Sequence, residues 1–428
     1  METVTRANGA GASWYNAVWR WHFYAGLFCM PFVLWLSVTG TIYLWKPQIE
    51  VWQDRAYDTL PVQAPRAAPD RIVATALTAV PGAHLSKYQL PVSPNQAVRV
   101  LVAKDGVETR VYVDPYRLRV LNSVREDGRL MKTISALHGT LLAGAPGSWL
   151  VEIAACWTIT MLLTGLYLWW PRGRKGLGGI LYPRWRSGRR LFWRDTHAVA
   201  GIWVSVAAIF LIATGLPWAN AWGGYLGAVR TATGTTDGPV DWKVAGKPDA
   251  HAEHRGTAMP AAEPGNLDAV VATGARLALA PPVLIAPSGA DRWTISSDSA
   301  NRPERSRVTV DAATGRILDR RDFAQRQWID RAVGYGVAIH EGAFFGLANQ
   351  ILGTLVTALL ATLSVSGAVM WWRRRRPGTL GQPPRLGRPR YGWSLAGTIA
   401  ALGVAMPLFG ATLIGVLAVD RLATLRRR

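Results

Sequence analysis

Five long apolar runs, at about residues 24–45, 148–170, 198–220, 350–372 and 393–419, constrain this 428-residue chain more than any other feature. Each is near the ~20 residues an α-helix needs to cross the ~30 Å core of a bilayer. The chain carries 48 basic and 27 acidic residues, yet half of it is apolar, because the charges lie between the runs. That segregation excludes disorder, collagen and a disulfide scaffold and predicts an integral membrane protein. The first run is too long for a cleavable signal peptide and lacks a small-residue cleavage site. Both cysteines, Cys29 and Cys156, fall inside runs, and there is no Cys-x-x-Cys-His, which excludes c-type haem attachment.

A net charge of +21 raises the question of nucleic acid, but the arginines cluster just beyond the apolar runs. Residues 171–197 hold eight basic side chains against Asp195 alone, and 373–391 hold Arg373 to Arg376, Arg385, Arg388 and Arg390 with no acid. The positive-inside rule makes both loops cytoplasmic, and many of the 21 tryptophans flank the runs as an interfacial belt. The expected division is an N-terminus and first helix (1–46), an outer domain (47–147), a helix (148–170), a cytoplasmic loop (171–197), a helix (198–220), a second outer domain (221–349), a helix (350–372), a cytoplasmic loop (373–392), and a fifth helix with the C-terminus (393–428). The fifth helix strains the scheme: it leaves Asp420, Arg421 and three terminal arginines outside, and it contains Pro407.

The outer segments read as two small α+β domains. Each has an amphipathic helix (69–82 and 266–279) and alternating strands (97–102 and 109–113; near 291–296 and 307–311). The fold class is therefore an α-helical membrane bundle of about five helices, a duplicated two-helix unit, with two α+β outer domains.

The duplication is explicit. His22 is followed by Gly26 and Thr39-Gly40 at the spacings with which His197 is followed by Gly201 and Thr214-Gly215. His138 precedes Thr164-Gly165 and Trp169-Trp170 as His340 precedes Ser366-Gly367 and Trp371-Trp372. Arg129 and Arg331 each stand nine residues before their histidine. Both copies begin inside, so they run parallel.

Four of the seven histidines occupy duplicated positions. An ionisable group near an apolar core is costly and normally partnered, and neutral imidazole is a good ligand for iron or copper. His22 and His197 are expected at one membrane level, and His138 and His340 at the other. Each pair can supply both axial ligands of one haem held between facing helices. Gly26 and Gly201, one turn on from their histidines, would leave room for the porphyrin. His138 to Trp170 as one helix would run about 48 Å, so Gly144-Ala145-Pro146-Gly147 is expected to break it. Arg129 and Arg331 outside, and Arg20 and Arg194 inside, are candidate partners for haem propionates or for lipid headgroups. Glu152 reads as an interfacial acid, a proton relay or a contact for a quinol, and His251 and His254 as a loop pair or an iron site.

The runs Trp19-Arg20-Trp21-His22-Phe23-Tyr24-Ala25-Gly26, Leu137-His138-Gly139, Thr196-His197-Ala198-Val199-Ala200-Gly201 and Ile339-His340-Glu341-Gly342 resemble the PepSY-associated transmembrane family. That resemblance, over about residues 14–418, implies PepSY-like periplasmic domains and a bacterial inner-membrane protein. It implies two b-type haems ligated by the four histidines, and reduction of a siderophore-bound Fe(III) to Fe(II) for iron uptake. The donor would be a quinol, a reduced flavin or a soluble reductase, since no Gly-x-Gly-x-x-Gly announces a nucleotide domain. A non-enzymatic PepSY tether and a siderophore transporter are the competing readings.

Overall fold

The computed structural model describes residues 2–63, 65–172, 176–235, 267–384, 386 and 392–425. His251 and His254 lie outside the described residues. Among the described residues four helices are long and apolar enough to cross a membrane: Ser13–Leu44, Gly144–Trp169, Arg189–Trp218 and Leu347–Arg374. They fall in α1 (Glu2–Leu44), α5 (Gly144–Trp169), α6 (Arg189–Gly215, continued by a 3-10 turn) and α10 (Leu347–Arg374). α1 packs on α5 and on α10, and α6 packs on the same two, closing a four-helix ring. Each copy contributes one adjacent pair, so α1 and α6 stand diagonally opposed. Leu162, Val204, Ala208 and Val356 fill part of the ring's interior.

The fifth run is not one helix. It divides into α11 (Trp393–Ala405) and α12 (Pro407–Leu425). Pro407 lacks the amide that a continuing helix needs, and the chain folds back at Met406. A Cβ built on Gly410 would lie 3.2 Å from the Gly403 Cα. A straight helix would hold these two backbones about 10 Å apart. Met406 and Phe409 at the fold-back pack with Cys156, Ile159 and Leu216, and the Trp222 indole N–H donates to the Ala405 carbonyl at 3.0 Å.

The second correction concerns the two outer domains. Their strands form one eight-stranded antiparallel sheet, ordered β4-β3-β2-β1-β5-β6-β7-β8. In the first half these are β1 (His84–Leu90), β2 (Val98–Lys104), β3 (Val107–Asp114) and β4 (Arg119–Arg125). In the second they are β5 (Val283–Pro287), β6 (Arg292–Ser297), β7 (Ser306–Asp311) and β8 (Ile317–Asp322). The halves join where β1 pairs with β5, Tyr88 opposite Ile285 and Leu90 opposite Val283. Apart, each half would present an unpaired edge; pairing satisfies both. α3 (Pro69–Thr78) and α8 (Leu267–Arg276) cover one face, sealing a core of Ile72, Tyr88, Val100, Val111, Ile285, Ile295 and Val308. The aliphatic members contribute ~1.5–3 kcal/mol each on full burial.

Two shorter helices, α4 (Leu130–Thr140) and α9 (Trp328–His340), carry the sheet back into the bundle. α2 (Lys46–Asp54) and α7 (Asn220–Ala232) lead away from α1 and α6.

Candidate functional site

His22 projects from α1 onto α5, where its Nδ1 lies 3.0 Å from the Met161 carbonyl and 3.2 Å from the Thr164 hydroxyl. His197 does the same from α6 onto α10: Nδ1 is 3.1 Å from the Leu363 carbonyl and 3.1 Å from the Ser366 hydroxyl. The next residue in each case is a glycine, and the imidazole occupies the space above it. A Cβ on Gly165 would lie 3.0 Å from His22 Cε1, and one on Gly367 3.5 Å from His197 Cε1. Across the ring the two imidazoles face one another with centroids 6.3 Å apart and planes 82° from parallel.

The other two histidines repeat the arrangement at the sheet end of the bundle. His138 lies in the last turn of α4, His340 at the end of α9. His138 Nδ1 is 3.0 Å from the Thr39 hydroxyl on α1, and His340 Nδ1 is 3.0 Å from the Thr214 hydroxyl on α6. Gly40 and Gly215 lie beneath these rings, with Cβ positions 3.2 and 3.5 Å from the respective Cε1 atoms. A break does follow His138, but at Leu141 and Leu142, whose left-handed φ values of 52° and 59° turn the chain from α4 into α5; Gly144-Ala145-Pro146-Gly147, expected to be the break, instead form the first turn of α5, where Pro146 is tolerated because first-turn amides have no partner within the helix. Burial, with the charge of nearby His340, holds the His138 imidazole down to about 4; burial also lowers His340. Both are neutral at pH 7. On α1, Gly40 follows His22 by 18 residues, so the two histidine levels are ~27 Å apart along the helix.

Two imidazoles on opposite sides of one metal, each bonded at about 2 Å, have ring centres roughly 6 Å apart. The 6.3 Å spacing of His22 and His197 fits that geometry. Among the described residues no group of three or more His, Cys, Asp or Glu can hold a metal ion. A facing pair of imidazoles suits a metal that brings its own equatorial ligands, as haem iron does.

The remaining expectations fare differently. Gly26 and Gly201 face Met161 and Leu363, each Cβ position an ordinary 3.7 Å from that side chain. Arg129 is committed elsewhere: it donates to the Tyr112 hydroxyl at 2.7 Å and pairs with Asp54 at 3.6 Å and Glu50 at 3.9 Å. Arg194 and Arg184 both bind the fully buried Asp195, each at 2.7 Å. Arg20 donates to the Pro383 carbonyl and lies over the Tyr24 ring. Arg331 is exposed. Glu152 caps α7, its two oxygens accepting the amides of Ala221 and Trp222 at 2.8 and 2.9 Å.

Sequence reasoning missed what lies under the histidines. The Thr-Gly and Ser-Gly pairs stood out as repeated spacings, but nothing in one dimension says that each receives an imidazole. It also missed the buried pair of Arg230 on α7 and Asp330 on α9, 3.0 Å apart.

The PepSY-associated TM region matches residues 19–374, the segment that holds all four histidines and their seats. The chain belongs to this PepSY-associated family. Comparison with curated proteins finds no match. The family assignment agrees with a membrane bundle carrying a separate sheet domain.

Proposed function

We propose that this PepSY-associated protein is a dihaem b-type membrane oxidoreductase. It would carry electrons from the arginine-rich, cytoplasmic side to the sheet side and reduce an Fe(III) chelate of the siderophore class in the bacterial periplasm. The observation that carries the reading is the pairing of His22 with His197 across the ring at 6.3 Å; His138 and His340 lie near enough for the charge of one to act on the other. His22 and His197 would hold one haem and His138 and His340 the other. Bis-imidazole iron has no open position and exchanges single electrons without binding oxygen. The chain's own part is to hold the imidazoles neutral and rigid and to surround them with apolar helix. The iron released as Fe(II) would serve iron uptake; a quinol, a reduced flavin or a reductase at the arginine face would be the donor.

The test is a dithionite-reduced minus oxidised spectrum of purified protein with a haem count per chain. Two low-spin b-type haems are expected, with one lost in His22→Ala and the other in His138→Ala. Mixing the reduced protein anaerobically with a ferric chelate should then reoxidise it and yield Fe(II), trapped by a ferrous-specific dye. Haem-free wild-type protein, expressed with ample haem, refutes the reading and leaves a tether or a transporter.

A further inference from the structure

All four histidines rest on one local device. Each Nδ1 meets a helix hydroxyl with glycine next: Thr39 and Gly40, Thr164 and Gly165, Thr214 and Gly215, Ser366 and Gly367. Three residues before each hydroxyl stands a carbonyl that also bonds the ring: Met161 at 3.0 Å from His22 Nδ1 and Leu363 at 3.1 Å from His197 Nδ1, with Leu36 bonding the His138 ring and Leu211 the His340 ring. The glycine stands one turn above the carbonyl on the same face. Without a side chain there, the carbonyl's second lone pair is open to the imidazole.

The hydroxyls decide which ring nitrogen carries the proton. A hydroxyl has one hydrogen to give, and each of these four has a carbonyl of its own helix within reach of it. Thr39 donates to Trp35 at 2.9 Å, Thr164 to Thr160 and Met161 at 2.9 Å, Thr214 to Phe210 at 2.9 Å, and Ser366 to Leu363 at 3.1 Å. Toward the histidine each oxygen then acts as an acceptor, as does the neighbouring carbonyl. Nδ1 must therefore be the N–H donor, and the lone pair of a neutral imidazole is left on Nε2.

We infer that Thr39, Thr164, Thr214 and Ser366 are positioning residues that fix the Nδ1–H tautomer of His138, His22, His340 and His197 and thereby set how tightly, and at what potential, each histidine pair holds its haem. The inference rests on the dihaem reading above. A hydrogen-bond acceptor on the far nitrogen orients a ligating imidazole and raises its basicity, and losing such a partner typically costs 10–100-fold in metal affinity. Greater ligand basicity favours Fe(III), so removing the acceptor raises the midpoint potential.

The experiment compares two double variants of the full-length protein, Thr164→Val with Ser366→Ala and Thr39→Val with Thr214→Val. A Thr-to-Ser control at positions 39, 164 and 214 retains the hydroxyl. Readouts are the rate of haem transfer to apomyoglobin and the potentiometric midpoint of each haem. Each double variant should release its own haem about tenfold faster or more, at a raised midpoint, leaving the other haem unchanged, while the serine control behaves as wild type. Unchanged rates and midpoints in both double variants overturn the inference, as does equal haem loss in the valine and serine forms. Wild-type protein without haem overturns the dihaem reading itself; wild type with two haems and indifferent variants overturns only the positioning role.

Discussion

Replacing glycine by alanine beneath a histidine should give opposite results in the two copies of the duplicated unit. In a helix interior the change itself favours folding by about 1 kcal/mol. At Gly367 the new Cβ meets His197 Cε1 at 3.5 Å, an ordinary contact, so Gly367→Ala should be neutral or gain up to that amount. At Gly165 the Cβ would stand 3.0 Å from His22 Cε1, a few tenths of an ångström too close. His22 has little freedom to retreat: its Nδ1 is held at 3.0 Å by Met161, and His197 stands across the ring. Overpacking of this kind costs about 1–3 kcal/mol, so Gly165→Ala should lose up to about 2 kcal/mol net. The two variants should therefore differ by about 1–3 kcal/mol, with Gly40→Ala between them because its Cβ would lie 3.2 Å from His138 Cε1. Thermal unfolding in detergent reads the difference, and on the dihaem proposal the spectrum of the haem assigned to His22 and His197 should broaden or vanish in Gly165→Ala alone. Equal melting of Gly165→Ala and Gly367→Ala, with identical spectra, would refute the claim that the glycines seat the imidazoles.

Three further outcomes follow from other parts of the molecule. Arg230 and Asp330 are nearly inaccessible, at 5% and 3% side-chain exposure, so Asp330→Ala strands a buried cation and should cost about 3–5 kcal/mol. The double change to Met and Leu should cost clearly less, and a double variant no more stable than Asp330→Ala would contradict this in a melting series. The fold-back at Met406 returns the C-terminus toward the side from which α11 starts, so a cysteine near residue 422 should react with an impermeant maleimide from the same face as one in the arginine-rich loop at 376–384; labelling from opposite faces restores a fifth crossing. In haem-free protein, His138 resists protonation in the folded state: its pKa falls from 6.5 to about 4. Its contribution is present above pH 6.5 and is lost as the pH drops toward 4, at most about 3 kcal/mol. His138→Asn should flatten the stability-against-pH curve over that window, and an unchanged curve would show that other groups govern it.

The sequence by itself determined the bundle, the duplication and the identity of the four histidines. Each rests on a one-dimensional signal: runs long enough to span, offsets repeated between copies, and ionisable residues where apolar chain begins or ends. It also placed the helices and central strands of the outer segments, because alternation reports a half-buried strand directly. Tertiary structure decided what depends on partners distant in sequence. β1 and β5, which the sequence reading passed over, fuse two expected domains into one sheet, since a strand edge finds its mate only in space. The fifth run was apolar enough to read as a crossing, yet it turns back at Met406, where Met406 and Phe409 pack among Cys156, Ile159 and Leu216. Charge alone suggested propionate partners in Arg129 and Arg194, but folding brings Asp54 and Asp195 to them first. The seats under the histidines lay in plain view as Thr-Gly and Ser-Gly repeats. Only the packing of α1 on α5 and α6 on α10 shows that each receives a ring, because a helix carbonyl becomes a binding group only when a neighbouring helix carries a donor to it.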